Sequence, residues 1–270
     1  MDIAGLVRQH YSGEELAAGI LATLTASGQD TASLDVAGLA AVDQLHLGGA
    51  AATRYLFEQL RLGPSTRLLD VGSGIGGPAR LAAAEFGCSV VGVDLSPDFV
   101  RAAKQLNGLV RQPLRVEFVV ASGSDSGLPA ASFDRASLVH VGMNIADKAA
   151  VFTEVRRLLT EGGVFGVYEQ MRVGPGELNY PLPWAVDERS SFVASPDEYV
   201  RDLIASGFRV LRQENRAAAA AGGPPAAGLD QAAVFGPAFV ERIRNNVSAA
   251  RAGVLAPILL VAEAVGAPVG

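Results

Sequence analysis

The sequence predicts an α/β protein built around a mostly parallel sheet. Short apolar runs suited to buried strands alternate with amphipathic helical segments through most of the 270 residues. The stretch RLLDVGSGIGGPAR, residues 67–80, passes from a strand into a helix through a turn holding Gly72, Gly74, Gly76 and Gly77. A second buried strand, Ser89 to Val93, follows and delivers Asp94 about 20 residues beyond the turn, where such folds place a carboxylate on ribose hydroxyls.

The glycine turn organises the chain. Glycine admits positive φ in a tight strand-to-helix turn and lets a ligand approach the backbone where a Cβ would stand. The turn amides and the positive end of the following helix are expected to face that ligand. Gly72, Gly74 and Gly77 satisfy the dinucleotide fingerprint, a weak signal by itself. Asp70, at the end of the preceding strand, sits badly against a pyrophosphate and well against a cation.

Composition narrows the function classes. A hydrophobic content of 49% supports a large core, and a net charge of −6 without a basic stripe argues against nucleic acid. The single cysteine, Cys88, has no partner for an internal disulfide and reads as core. No Cys/His cluster has metal-ligand spacing, so no metal is expected. The N-terminal stretch does not read as a secretory signal. The late apolar run VLAPILLVAEAV is too short to span a bilayer and contains Pro257. A cytoplasmic protein with no membrane partner is expected.

The string LDVGSGIGGPAR closely resembles the first motif of the class I S-adenosylmethionine (SAM)-dependent methyltransferases. Their cofactor carries a sulfonium and an ammonium in place of phosphates. The helix, LL-x-x-GG and strand succession over KAAVFTEVRRLLTEGG and VFGVYEQM is a second close match. The resemblance runs from about Val42 through nearly all of the chain and is strongest in residues 67–167. It is to small-molecule enzymes of the sarcosine/dimethylglycine and tocopherol types. It implies a Rossmann-like, seven-stranded, mostly parallel sheet with helices on both faces. An N-terminal helical cap (1–62) would precede a SAM-binding domain (63–270), with a lid insertion at about 172–195 after strand five.

Taken in order, residues 1–62 read as helices, with Ser12 and Glu15 as a possible capping box and Gly48-Gly49 as a break. VDQLHLGG is similar to a family segment that lines the cofactor pocket, which implies cofactor-side roles for Gln44 and His46. In the turn, Asp70, Gly72, Ser73 and Gly74 are cofactor candidates. Leu95 matches a family residue that packs on adenine. PDFVRAAKQLNGL is an amphipathic helix, LRVEFVVA a third strand and SFDRASLVH a fourth. Where the family shows Gly-Asp-Ala, this chain has Gly123, Ser124 and Asp125, so either Ser124 or Asp125 takes the adenine amino group. His140 ends the fourth strand, where open α/β sheets bind ligands, and can accept a proton near neutral pH. Met143 and Asn144 would lie beside it, over the methionine end of the cofactor.

KAAVFTEVRRLLTEGG reads as a helix running to Gly162-Gly163, and VFGVYEQM as the fifth strand. The Gly/Pro-rich loop with Tyr180 and Trp184 matches a family segment over the acceptor pocket. Ser195-Pro196-Asp197-Glu198 starts a helix. FRVLRQEN and ILLVAEAV are the last strands, paired antiparallel, and residues 217–230 read as a low-complexity loop. The expected reaction is in-line attack by a small-molecule nitrogen, oxygen or carbon on the activated methyl. His140 is the leading base, then His46, then Glu169. Tyr11, Asn144, Tyr180 and Trp184 would face the acceptor. Two alternatives stand beside this: a nicotinamide oxidoreductase using the same glycine turn, and a SAM-binding protein of this fold that does not methylate.

Overall fold

The computed structural model describes residues 13–44, 46–221 and 238–265. Its centre is a seven-stranded sheet of order β3-β2-β1-β4-β5-β7-β6. β1 (Arg67–Val71), β2 (Ser89–Asp94), β3 (Val116–Val120), β4 (Phe133–Val139) and β5 (Leu159–Arg172) run parallel. β7 (Leu255–Ala264) lies antiparallel between β5 and β6 (Phe208–Asn215), the pairing expected of the last two strands. The order reverses between β1 and β4, so the carboxyl ends of these two strands flank a crevice open to a ligand.

Helices cover both faces. α1 (Gly13–Ala26), α2 (Val36–Asp43), α3 (Gly49–Gln59), α4 (Gly77–Phe86) and α5 (Pro97–Leu109) share one core with Leu68, Val90 and Phe118. On the opposite face, α6 (Lys148–Leu158) and α7 (Pro196–Ala205) pack on Leu69, Leu138, Phe165 and Val167. Local signals start these helices where the sequence places them. Ser96 caps α5 with Pro97 in its first turn, and Ser195 and Glu198 form a capping box on α7. α8 (Ala217–Ala221) and α9 (Ala238–Arg251) follow β6.

Two expectations are corrected. α6 ends at Leu158, and Leu-Thr-Glu-Gly-Gly opens β5. Leu159 pairs with Phe133 across a register shift, and Gly162, at φ +71°, breaks helical continuity. Residues 217–221 are helical, because a run of the best helix former follows Asn215, whose Oδ1 accepts the Ala217 amide at 3.0 Å. The Ser12–Glu15 capping box lies outside the described residues and side chains.

One buried ion pair ties α2 to α4. Arg80 in α4, without solvent exposure, donates to Asp43 Oδ2 at 3.0 Å, to the Ile75 carbonyl at 2.6 Å and to the Ala103 carbonyl at 3.2 Å. Breaking a buried pair from one side strands the other charge. Arg80→Leu should therefore destabilise the fold by about 3–5 kcal/mol at neutral pH. The loss should be smaller at pH 5, because burial pushes the Asp43 carboxyl up to about 6 and it then takes up a proton. Urea midpoints at the two pH values check this.

Candidate active site

A cavity of about 580 Å³ opens at the carboxyl ends of β1, β2 and β4. Its floor is the glycine turn. Gly72 and Gly74 both adopt positive φ, for different reasons. A Cβ on Gly72 would enter the Val141 side chain, whereas one on Gly74 would meet no protein atom within 4 Å. Gly74 lines the cavity, so a side chain there would occupy ligand space.

The turn spends its donors inside the protein. The amides of Gly72 and Ser73 both reach the Val93 carbonyl, at 2.8 and 3.0 Å, and Gly76 reaches the Ser73 carbonyl at 2.8 Å. The Gly74 amide donates to Asp94 Oδ2 at 2.9 Å, and the Ser96 amide to Asp94 Oδ1 at 2.8 Å. The expectation that these amides face a ligand is corrected: those of Gly72, Ser73, Gly74 and Gly76 are engaged within the protein, and do not form a pyrophosphate cradle. Asp94 thus braces the turn from the next strand, and it also lines the cavity.

Acidic residues gather at the cavity: Asp43, Asp70, Asp94 and Asp147 all belong to its lining, which suits a ligand rich in donors and positive charge better than a phosphate. Behind the surface, Asp43 Oδ1, Asp70 Oδ2, Ser73 Oγ, His140 Nε2 and Asn144 Oδ1 are buried without a hydrogen-bond partner among the described residues. Asp70 is held at Oδ1 by the Ser137 hydroxyl at 2.7 Å. Burial, and then the charge of Asp94, push its carboxyl up to about 7. At the rim, Leu95 is 74% exposed, an apolar face open to a flat ring.

His46 and His140 pack against each other at the cavity lining, ring centroids 5.2 Å apart, with Tyr168 packed on both at 5.9 and 5.4 Å. Thr53 donates its one hydroxyl proton to Gln44 Oε1 at 2.8 Å, and therefore accepts from His46 Nε2 at 3.0 Å. Both imidazoles are neutral at pH 7. Burial lowers His46 to about 4, and burial together with His46 holds His140 well below its ordinary value.

The structure thus gathers His46, Asp70, Gly72, Ser73, Gly74, Asp94, Leu95, Ser124, His140 and Asn144 on one wall. Between the two adenine-side candidates, Ser124 lines the cavity and Asp125 does not. Gln44 is buried behind the wall and acts on His46 through Thr53. Met143 and Trp184 are also off the wall. They pack with Leu182, Ala185, Ala249 and Leu255, with Tyr180 against them, and the Trp184 indole donates to Ser191 Oγ at 2.9 Å. Glu169, the third candidate base, is corrected: it is fully buried and does not line the cavity. Tyr11 lies outside the described residues. Sequence reasoning missed Asp43, Phe99, Ser122 and Asp147 as wall residues. Asp43 had a usable signal, an acid in an apolar segment beside Gln44. Among the described residues no His/Cys/Asp/Glu group is placed to hold a metal, and no helix is long and apolar enough to cross a membrane.

Sheet order, glycine turn and acidic strand ends together define the class I methyltransferase fold. Residues 69–167 match the model of the family described as a methyltransferase domain. Phosphoethanolamine N-methyltransferase 1 of Zea mays is 30% identical over 169 residues, covering 63% of this chain and 33% of that protein. The 2-methyl-6-phytyl-1,4-hydroquinone methyltransferase of Synechocystis is 35% identical over 106 residues, covering 39% and 32%. The chain spans about a third of the length of these curated relatives. Among solved structures, the Haemonchus contortus phosphoethanolamine N-methyltransferase 2, in complex with phosphomonomethylethanolamine and S-adenosylhomocysteine, superposes with a TM-score of 0.67 at 20% identity. That alignment covers 86% of this chain and 58% of the other.

The raised Asp70 carboxyl has a consequence for stability. The folded protein holds a proton that the unfolded chain releases above its ordinary 3.8, so stability from this group falls as pH rises from about 4 to about 7. Asp70→Asn keeps the acceptor for Ser137 and removes the charge. Relative to wild type it should gain about 1 kcal/mol or more by pH 8 and nothing near pH 4, read from urea unfolding across that range.

Proposed function

We propose that the protein is a SAM-dependent methyltransferase that methylates a small-molecule nitrogen, oxygen or carbon acceptor. The observation that carries this reading is the pairing of spent turn amides with a lining that includes Asp43, Asp70, Asp94 and Asp147, which suits a cationic cofactor better than a pyrophosphate. The same observation weighs against the nicotinamide alternative. In this reading Asp94 takes the ribose hydroxyls, Leu95 packs on the adenine and Ser124 meets its amino group. Asp70 and Ser73 face the cationic methionine end. The bound cofactor supplies an electrophilic methyl on a sulfonium.

The chain's own residues then have limited work. They align the acceptor with the methyl and exclude water, effects worth several kcal/mol, roughly 7–11 at best. A base is required only where the acceptor must lose a proton. His140 is suited to that step, because its ring is neutral and Nε2 has no protein partner. His46, oriented by Thr53, packs beside it. The N-terminal region acts as a cap, bringing Asp43 and His46 to the wall. Residues 172–195 are assigned to the acceptor side as the lid, with Trp184 as its packed anchor and Tyr180 beside it. The setting proposed is the cytoplasm, with no nucleic-acid or membrane partner.

Asp94→Ala should weaken SAM binding about tenfold to a hundredfold, the loss of hydrogen bonds to a charged group; calorimetry on the folded variant checks it. Unchanged affinity would remove Asp94 from the site.

His140→Ala should lower turnover by about two to four decades when the acceptor attacks after losing a proton, with SAM affinity retained. Mass spectrometry of co-purified ligands and product assays identify the acceptor. A protein that binds SAM and yields no S-adenosylhomocysteine with any acceptor would favour the non-methylating alternative.

A further inference from the structure

His140 is not a glycine, yet its φ is +53°. Left-handed backbone is unfavourable for a residue with a Cβ, and such strain persists only where surrounding structure over-determines it. The surrounding structure here is the end of β5. The Tyr168 carbonyl accepts the His140 amide at 2.9 Å. The next two amides, of Val141 and Gly142, both donate to one oxygen of Glu169, Oε1, each at 2.8 Å. Residues 168 and 169 therefore grip three successive amides of the loop that carries the imidazole.

An acid at this place needs a reason. Glu169 has no solvent exposure, and a buried carboxyl is costly unless it is paired. It does not reach the cavity. The loop is pinned farther along by other groups. The Phe192 amide donates to the Met143 carbonyl at 2.9 Å, and Lys148 Nζ donates to the Ile145 and Phe192 carbonyls at 2.8 and 2.7 Å. Gly142 has no room for a Cβ beneath the Tyr199 hydroxyl. Among the described residues, Glu169 is the group that accepts the two amides directly after His140.

We propose that Glu169 is a positioning residue: by accepting the Val141 and Gly142 amides it holds His140 in the left-handed turn that aims its imidazole into the cavity. The consequence for methyl transfer rests on His140 having the acceptor-facing role given above; the geometric claim does not.

The test needs no acceptor. The chain has three histidines, so an imidazole nitrogen–proton spectrum is simple, and His140→Ala identifies the His140 signal. Glu169→Gln keeps an oxygen able to accept both amides, and Glu169→Leu keeps none. The His140 signal should hold its position in the Gln variant and move or broaden in the Leu variant, while SAM affinity measured by calorimetry stays within about threefold of wild type. Should the Leu variant fail to fold, hydrogen exchange on the wild type decides: the Val141 and Gly142 amides should be as protected as the centre of β5. A His140 signal unmoved by Leu, or moved equally by Gln, overturns the proposal, as does fast exchange of the two amides. If these results hold while His140→Ala leaves turnover intact, the catalytic reading of His140 fails and the positioning role of Glu169 stands.

Discussion

A guanidinium cut off from solvent, that of Arg80, joins three parts of the molecule that share no strand pairing. It reaches the end of α2 through Asp43, the glycine turn through the Ile75 carbonyl, and α5 through the Ala103 carbonyl. Those contacts fix where the N-terminal helices meet the cavity, because Asp43 and His46 line it and Arg80 holds the first of them. The close approach leaves no room at Gly77, where a Cβ would run into the Asp43 backbone carbonyl. The pair thus sets the distance between two elements as well as stabilising them. A buried charge with several acceptors around a planar donor is well suited to that geometric task.

The sheet and its helices were legible because each depends on local pattern. Alternating strand and helix periods, Ser96-Pro97 and Ser195 as helix starts, and Gly72 and Gly74 as a turn are all readable within a few residues. The α6–β5 boundary was not. Leu159 is placed by its partner Phe133, which lies far off in sequence, and Leu-Thr-Glu-Gly-Gly by itself reads as a helix end. The same limit explains the turn amides. The fingerprint spacing says that the backbone curls, but where its N–H groups go depends on Val93 and Asp94 from the next strand.

Site residues divide along the same line. Asp70, Asp94 and His140 were found because strand ends in this topology converge on one crevice. Trp184 shows the opposite case. A large aromatic in a Gly/Pro-rich loop reads as a lid residue, yet its ring is 2% exposed against Met143, Leu182 and Leu255. Glu169 reads from its strand-end position as a third candidate base, and its actual partners are two amides of a neighbouring loop. Burial of this kind is a tertiary fact that a single strand pattern does not encode.

Apart from Asp43 and His46, every residue on the wall of the cavity falls between Asp70 and Val151. A substitution in the stretch from Asp70 to Val151 can therefore change the pocket by direct contact. From β5 onward, where no lining residue falls, a substitution reaches the pocket only by relay, as through the grip of Glu169 on the loop that carries His140.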